Sequence, residues 1–270
     1  MDVPGFAIIT GAASGIGRAC AKTFARDGAA GIALLDLNFD ALTCVKSEVE
    51  GMLEGRSGTA CRVQLYRVDV TNEDQVSQAI NDIVTNFGRI DYVVNAAGVG
   101  CKHEGGTAFA STQDWQRVLD INLTGTFFVL RAAAKIMLKQ EPILSSIDGR
   151  PLQRGSIVNF GSIASVAGIS STTAYCAAKH GVLGLTRTAS EDYARDGLRI
   201  NAICPGYIDT PLTQAPLVLE AMMKSLHTSV PMRRTGRPEE VADSVVYLCG
   251  GRSSYVTGAA LFIDGGFTQR

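Results

Sequence analysis

A chain of 270 residues with 46% hydrophobic content is long enough to bury a large core, which excludes disorder and points to one α/β domain over 1–270. The formal net charge of -1, with both signs interspersed, gives neither nucleic acid nor an anionic membrane an electrostatic handle. MDVPGFAIIT has no basic-then-apolar leader, no stretch nears the ~20 apolar residues of a membrane span, and seven cysteines lack a C-x-x-C pair; a soluble cytoplasmic protein with reduced thiols and a small-molecule partner is expected.

Short aliphatic runs alternate with helical patterns along the whole chain, as in βαβ units. FAIIT, the first strand, runs into GAASGIGRA and a helix, a setting in which backbone N–H groups receive a pyrophosphate. A plain tight βα connection uses glycines such as Gly11, Gly15 and Gly17 in the same way. The second strand, GIALLD, ends in Asp36, close to the ~20-residue offset at which a carboxylate meets the adenosine ribose. Such a carboxylate accepts from both ribose hydroxyls and repels a 2′-phosphate, so NAD is expected over NADP. Arg18 is the counter-signal, whereas Ser14 and Leu37 are uncharged where a basic residue would favour NADP.

RVQLYRVDV and IDYVVNAA are the next strands, separated by the helical EDQVSQAINDIVTNFG. VGCKHEGGTAFAST, Val99 to Thr112, is expected to form one rim of a substrate pocket, with His103 either an exposed loop residue or a contact for a polar substrate group. His103, His180 and His227 form no ligand motif, and no metal is expected. DWQRVLDINLTGTFFVLRAAAKIML reads as one long helix, followed by a polar, mobile loop from Lys139 to Gly155. SIVNF, the helical TTAYCAAKHGVLGLTRTASEDYARDG and LRINAIC come next. The segment 207–238 reads as a lid whose Leu212, Pro216, Leu217, Val218, Leu219, Met222, Met223 and Leu226 offer an adjustable apolar wall. PEEVADSVVYLCG and ALFID complete seven parallel strands, a doubly wound, Rossmann-type sheet with helices on both faces.

Within AYCAAKHG, helical spacing puts Tyr175 and Lys179 on one face. The spacing suits a packing pair and a proton-moving pair equally.

With TGAASGIG, VNAAG, GSIAS, YCAAK and PGYIDT in that order, the chain resembles the short-chain dehydrogenase/reductase family over essentially its whole length. Ser162 precedes Tyr175 by that family's thirteen positions. The resemblance implies a catalytic set of Ser162, Tyr175, Lys179 and Asn122. It implies cofactor contacts from Gly11, Ser14, Gly15, Ile16 and Gly17, from Asp36, from Asp69 and Val70, and from Asn95 in the turn that ends at Gly98. Pro205, Ile208 and Thr210 would hold the nicotinamide end, and a homotetramer paired through the helices carrying Asn122 and Tyr175 is implied.

A secondary alcohol loses hydride only as its O–H proton leaves, so a base must stand within ~3 Å of that oxygen. Bringing a phenol from about 10 to near neutrality takes about 4 kcal/mol, more than an exposed Tyr–Lys pair supplies. A desolvated Lys179, aided by the cationic ring of oxidised nicotinamide, supplies it, with Ser162 holding the substrate oxygen. By family analogy Asn122 holds a water that links Lys179 to solvent. The expected reaction is hydride transfer between NAD(H) and a hydrophobic secondary alcohol or ketone. The alternatives are an NADPH-dependent ketone reductase and a non-catalytic dinucleotide-binding protein.

Overall fold

The computed structural model describes residues 3–54, 61–145, 148–214 and 216–269, with the side chains of 216, 217, 220 and 221 outside that description. Seven parallel strands, β1 (Phe6–Thr10), β2 (Gly31–Asp36), β3 (Arg62–Arg67), β4 (Tyr92–Asn95), β5 (Gly155–Phe160), β6 (Leu198–Pro205) and β7 (Ala260–Ile263), lie in the order β3-β2-β1-β4-β5-β6-β7. Alternate residues of one strand serve opposite cores: Ala7 and Ile9 of β1 face one way and Ile8 the other. That is why the strands read as unbroken apolar runs.

The first core is closed by α1 (Gly15–Arg26), α2 (Phe39–Leu53) and, later in the chain, α8 (Pro238–Cys249). The second is closed by α3 (Glu73–Phe87), α5 (Gly125–Met137) and α6 (Thr173–Tyr193). The sheet is therefore doubly wound, as expected, with its order reversing between β1 and β4. Of these helices, α2 was not anticipated.

Local chemistry moves several expected boundaries. β3 ends at Arg67 rather than continuing through Val70, because the Asp69 carboxylate accepts from Thr71 N at 2.9 Å and Thr71 Oγ1 at 2.7 Å and turns the chain toward α3. The long helix is divided: α4 (Thr112–Leu119) passes through a π-helical turn, Asp120–Thr124, before α5. Such turns occur frequently at functional sites, and this one carries Asn122.

Lys139 to Gly155 is a tied excursion rather than the loose loop expected. Ile143 N donates to Gln153 O at 2.9 Å and Leu152 N to Ile143 O at 2.8 Å, and Gln153 Nε2 reaches Cys249 O at 3.0 Å. The apolar wall expected between 207 and 238 is also differently placed. Ile208 bridges to Gly236, closing the neck of the excursion that contains α7 (Pro216–Thr228). Met222, Leu226 and Val230 form their own small core with Tyr207, Leu219 and Phe267. Of the residues expected in the wall, Leu212 lines the site described below, and the side chains of Pro216 and Leu217 lie outside those described.

Arg199 on β6 fixes the far end of the sheet. Its guanidinium is buried and donates to Leu248 O at 2.8 Å, Cys249 O at 3.0 Å, Gly250 O at 3.2 Å and Val256 O at 3.2 Å. A cation is thus placed at the C-terminus of α8, where exposed carbonyls concentrate negative potential. We expect Arg199→Leu to cost about 3 kcal/mol of stability by stranding buried carbonyls, read as a lower urea midpoint with the slope unchanged.

Candidate active site

Where the strand order reverses, the loops leaving the carboxyl ends of the paired β1 and β4 diverge and open a cleft of about 770 Å³. Gly11, Ser14, Gly15, Ile16 and Gly17 line it at the start of α1, with Asp36, Asp69 and Val70 beside them. Gly11 has φ +64°, and a Cβ there would sit 2.8 Å from the Ala97 backbone. A Cβ on Gly17 would sit 2.2 Å from Gly11 O, so α1 can begin against the turn only with glycine at that position. Ser14 occupies the N-cap without a capping side-chain bond, so its exposed hydroxyl remains available beside the first-turn N–H groups.

Asp36 has two roles. One carboxylate oxygen accepts from Ala13 N at 3.1 Å and the other from Asn38 N at 3.0 Å, which ties the end of β2 to the glycine turn while the side chain lines the cleft. Arg18 is held by a bidentate ion pair to Glu48 on α2, with Nε 2.9 Å from Oε2. Asn95 differs from the other expected contacts: its side chain is buried and donates to Asn159 Oδ1 at 2.8 Å, so it supports β4 from behind and does not line the cleft. Gln113, Gln116, Arg117 and Asp120 form a polar wall that sequence reasoning missed. Their one signal is a polar stripe at helical spacing beginning one residue before Asp114.

A smaller cavity of about 110 Å³ shares Ile16, Ala96, Gly98, Phe160, Thr210 and Leu212 with the cleft. Asn122, Ser162, Tyr175, Lys179, Pro205 and Ile208 also line it, so the residues expected to act together are together. Lys179 is 4% exposed, and Nζ donates to Phe160 O at 2.7 Å and lies 5.5 Å from the centre of the Tyr175 ring. The Ser162 side chain hydrogen-bonds the Tyr175 phenol, and Ser162 Oγ also accepts from Ala164 N at 3.1 Å. Asn122 clamps Val99 in both directions: Nδ2 donates to Val99 O at 2.9 Å, and Oδ1 accepts from Val99 N at 3.0 Å. Gly98 makes room for this arrangement, since a Cβ there would fall 2.6 Å from Asn122 Oδ1.

Burial sets the resting protonation of the pair. Burial pushes the Tyr175 phenol above its ordinary value, opposed by the Ser162 hydrogen bond, and the same burial pulls the Lys179 ammonium down to about 8. The chain's own groups therefore leave the phenol protonated at neutral pH rather than acidified.

A family model described as enoyl-(acyl carrier protein) reductase matches residues 11–268. The chain is 40% identical over 271 residues to the short-chain dehydrogenase fogB of Aspergillus ruber, covering 99% of this chain and 98% of that one. It is 37% identical over 259 residues to the 3-oxoacyl-(acyl-carrier-protein) reductase FabG of Thermotoga maritima, covering 96% of each. The chain belongs to the short-chain dehydrogenase/reductase family. Among solved structures, levodione reductase matches with a TM-score of 0.83 at 32% identity, covering 98% of each chain. Members of this family are oxidoreductases that use a nicotinamide dinucleotide and act on small molecules. The residues present here fit such a group: glycines at 11 and 17 permit the tight turn that starts α1 beside the cleft, and a carboxylate stands along it. No described helix is long and apolar enough to cross a membrane.

The depressed ammonium makes a stability prediction with a definite sign. Unfolded, Lys179 binds its proton up to about 10.5; folded, it releases it near 8. Between those values the unfolded state holds more protons, so stability rises with pH, while below about 8 the full penalty remains. We expect Lys179→Met to melt higher than wild type at pH 7, with the gap, about 3 kcal/mol at most, closing from pH 8 to 10. A gap that widens over that range would contradict the assignment.

Proposed function

We propose that the protein transfers hydride between NAD(H) and an apolar secondary alcohol or ketone, with Tyr175 exchanging the substrate proton. The reading is carried by the buried Lys179: its ammonium has three donors and spends one on Phe160 O, beside a phenol already bonded to Ser162. A desolvated cation is expensive to keep, and packing alone gives no reason to keep it.

Gly11, Ser14, Gly15, Ile16 and Gly17 would receive the pyrophosphate, Asp36 the adenosine ribose, and Asp69 and Val70 the adenine. Pro205, Ile208 and Thr210 would flank the nicotinamide, whose ring supplies or accepts the hydride when bound. Lys179 donates toward the nicotinamide ribose and, by its charge, favours an ionised phenol. Ser162 donates to the substrate oxygen as charge develops on it. Asn122 positions the Gly98–Val99 turn beside the ammonium.

Support for an apolar substrate comes from Ile16, Phe160, Ile208 and Leu212 around the small cavity, and from half-exposed Val166 just after the segment bearing Ser162. FabG and levodione reductase, by their names, reduce carbonyl compounds, which fits a phenol protonated at neutral pH. Ketone reduction uses that phenol as acid, and alcohol oxidation needs it ionised.

A panel of apolar ketones and alcohols, followed by nicotinamide absorbance, tests this. Tyr175→Phe should lose nearly all turnover while cofactor affinity changes little, and wild-type oxidation should peak at higher pH than reduction. NAD binding without turnover of any panel member would leave a non-catalytic dinucleotide-binding protein.

Cofactor choice rests on separate observations. Asp36 carries negative charge on the proposed ribose side of the cleft, and Arg18, the cation that argued for NADP, is held in an ion pair by Glu48, which Lys22 also approaches at 3.6 Å. We expect kcat/KM with NAD to exceed that with NADP by at least about tenfold, equivalent to 1.4 kcal/mol, and Asp36→Asn to narrow the ratio. Equal use of both cofactors by wild type would instead support the NADPH-dependent ketone reductase.

A further inference from the structure

Three side chains outside the proposed machinery converge on the rim loop that follows β4. Cys101, His103 and Asp114 bring a thiol, an imidazole and a carboxylate within 4.8 Å of one another. His103 Nδ1 is 3.8 Å from Cys101 Sγ. The ring is 6% exposed, and its Nε2 is buried with no hydrogen-bond partner among the described residues. Burying an imidazole without satisfying its polar atoms is costly, and the packing of this loop offers no compensation.

The surroundings orient the group. His103 N donates to Ser171 O at 2.7 Å, fixing the backbone against the segment that leads into α6. Ser111 Oγ donates to Asp114 Oδ2 at 2.9 Å and so sets the carboxylate plane. Arg117 lies 3.4 Å from Asp114 Oδ1 and is the competing cation, but its side chain is 45% exposed and free to swing into water.

We infer that Cys101, His103 and Asp114 form a binding site for a thiophilic divalent cation of the Zn²⁺ class, with water completing the tetrahedron. Ligand atoms around such an ion stand about 3.3–3.8 Å apart, so the cluster needs to contract by about an ångström at its widest. One thiolate and one carboxylate balance the charge of the ion, and the ion takes the place of Arg117 as the counter-charge of Asp114. The site would tie the rim loop to the first turn of α4. That loop begins at Val99, which Asn122 clamps, so the cation would brace the wall of the proposed active site without touching it.

Cobalt(II) titration of the full chain tests this by a readout independent of turnover. We expect one equivalent to give visible d–d bands with a thiolate charge-transfer band in the near ultraviolet, and excess Zn²⁺ to erase them. Cys101→Ser and Asp114→Asn should each abolish the spectrum while far-ultraviolet circular dichroism is unchanged, and His103→Gln should weaken binding at least about tenfold. Asp114 is half-exposed on a helix first turn, so its variant keeps the test decisive if Cys101→Ser does not fold. No spectrum at one equivalent, or a spectrum that survives either Cys101→Ser or Asp114→Asn, would overturn the site.

Discussion

The burial of one ammonium group organises the site. Lys179 is sunk against the carboxyl end of β5, where Phe160 O is the protein acceptor it reaches. On the same helix Ala174 and Ala178 are buried against Trp115, Val118 and Leu119 of α4, and their small side chains let the two helices pack closely. Ser165 holds the same turn of α6 from the other side, donating to Lys179 O at 2.8 Å and accepting from Ser162 N at 3.0 Å. The serine expected to touch substrate and the helix carrying Tyr175 and Lys179 are thus coupled through one hydroxyl. The desolvation cost of the ammonium falls on stability.

The cleft follows from topology in the same way. Because the chain moves one way across the sheet after β1 and the other way after β3, the loops leaving β1 and β4 part, and the space between them is lined by backbone. Gly11 and Gly17 let the turn pack against Ala97 and against itself, and Asp36 connects the turn to the neighbouring strand. α2 enters this account through Glu48 alone, yet that residue decides whether Arg18 presents a free charge.

How much of this could be read from the sequence depended on the range of the forces involved. The strands were legible because both faces of each are covered, leaving apolar runs with no polar alternation to confuse. The residues of the site were legible by resemblance and by spacing, and the structure brings Asn122, Ser162, Tyr175 and Lys179 around one cavity. α2 escaped because only Leu42, Val45 and Val49 of its fifteen residues are fully buried, a weak stripe. The Lys139–Gly155 excursion was misread because what ties it is remote: Gln153 bonds the end of α8, and Arg199 binds both. The apolar pattern of α7 showed that a face is buried, but periodicity cannot say against what, and the partners proved to be Tyr207 and Phe267 rather than a substrate cavity. His103 read as an exposed loop residue because polarity in a loop suggests solvent, whereas a hydrogen bond from its own backbone to Ser171 draws it inward.

The opposed effects of burial on Tyr175 and Lys179 bear on how such a pair works. If the ammonium alone acidified the phenol, the protein would carry a standing phenolate in a desolvated pocket at considerable cost to folding. Instead burial acts against both charges, lifting the phenol, which stays protonated, and lowering the amine to about 8, which leaves it largely an ammonium at neutral pH. A further positive charge arriving in the cavity changes that balance, since in a medium that screens poorly it stabilises the phenolate strongly. The resting pocket thus holds one desolvated cation beside a neutral phenol, with Phe160 O fixing the amine. On the function proposed above, a cationic ring and a substrate oxygen would both have to be in reach before proton exchange became favourable, which would place the selectivity of the chemistry in the geometry of the cavity.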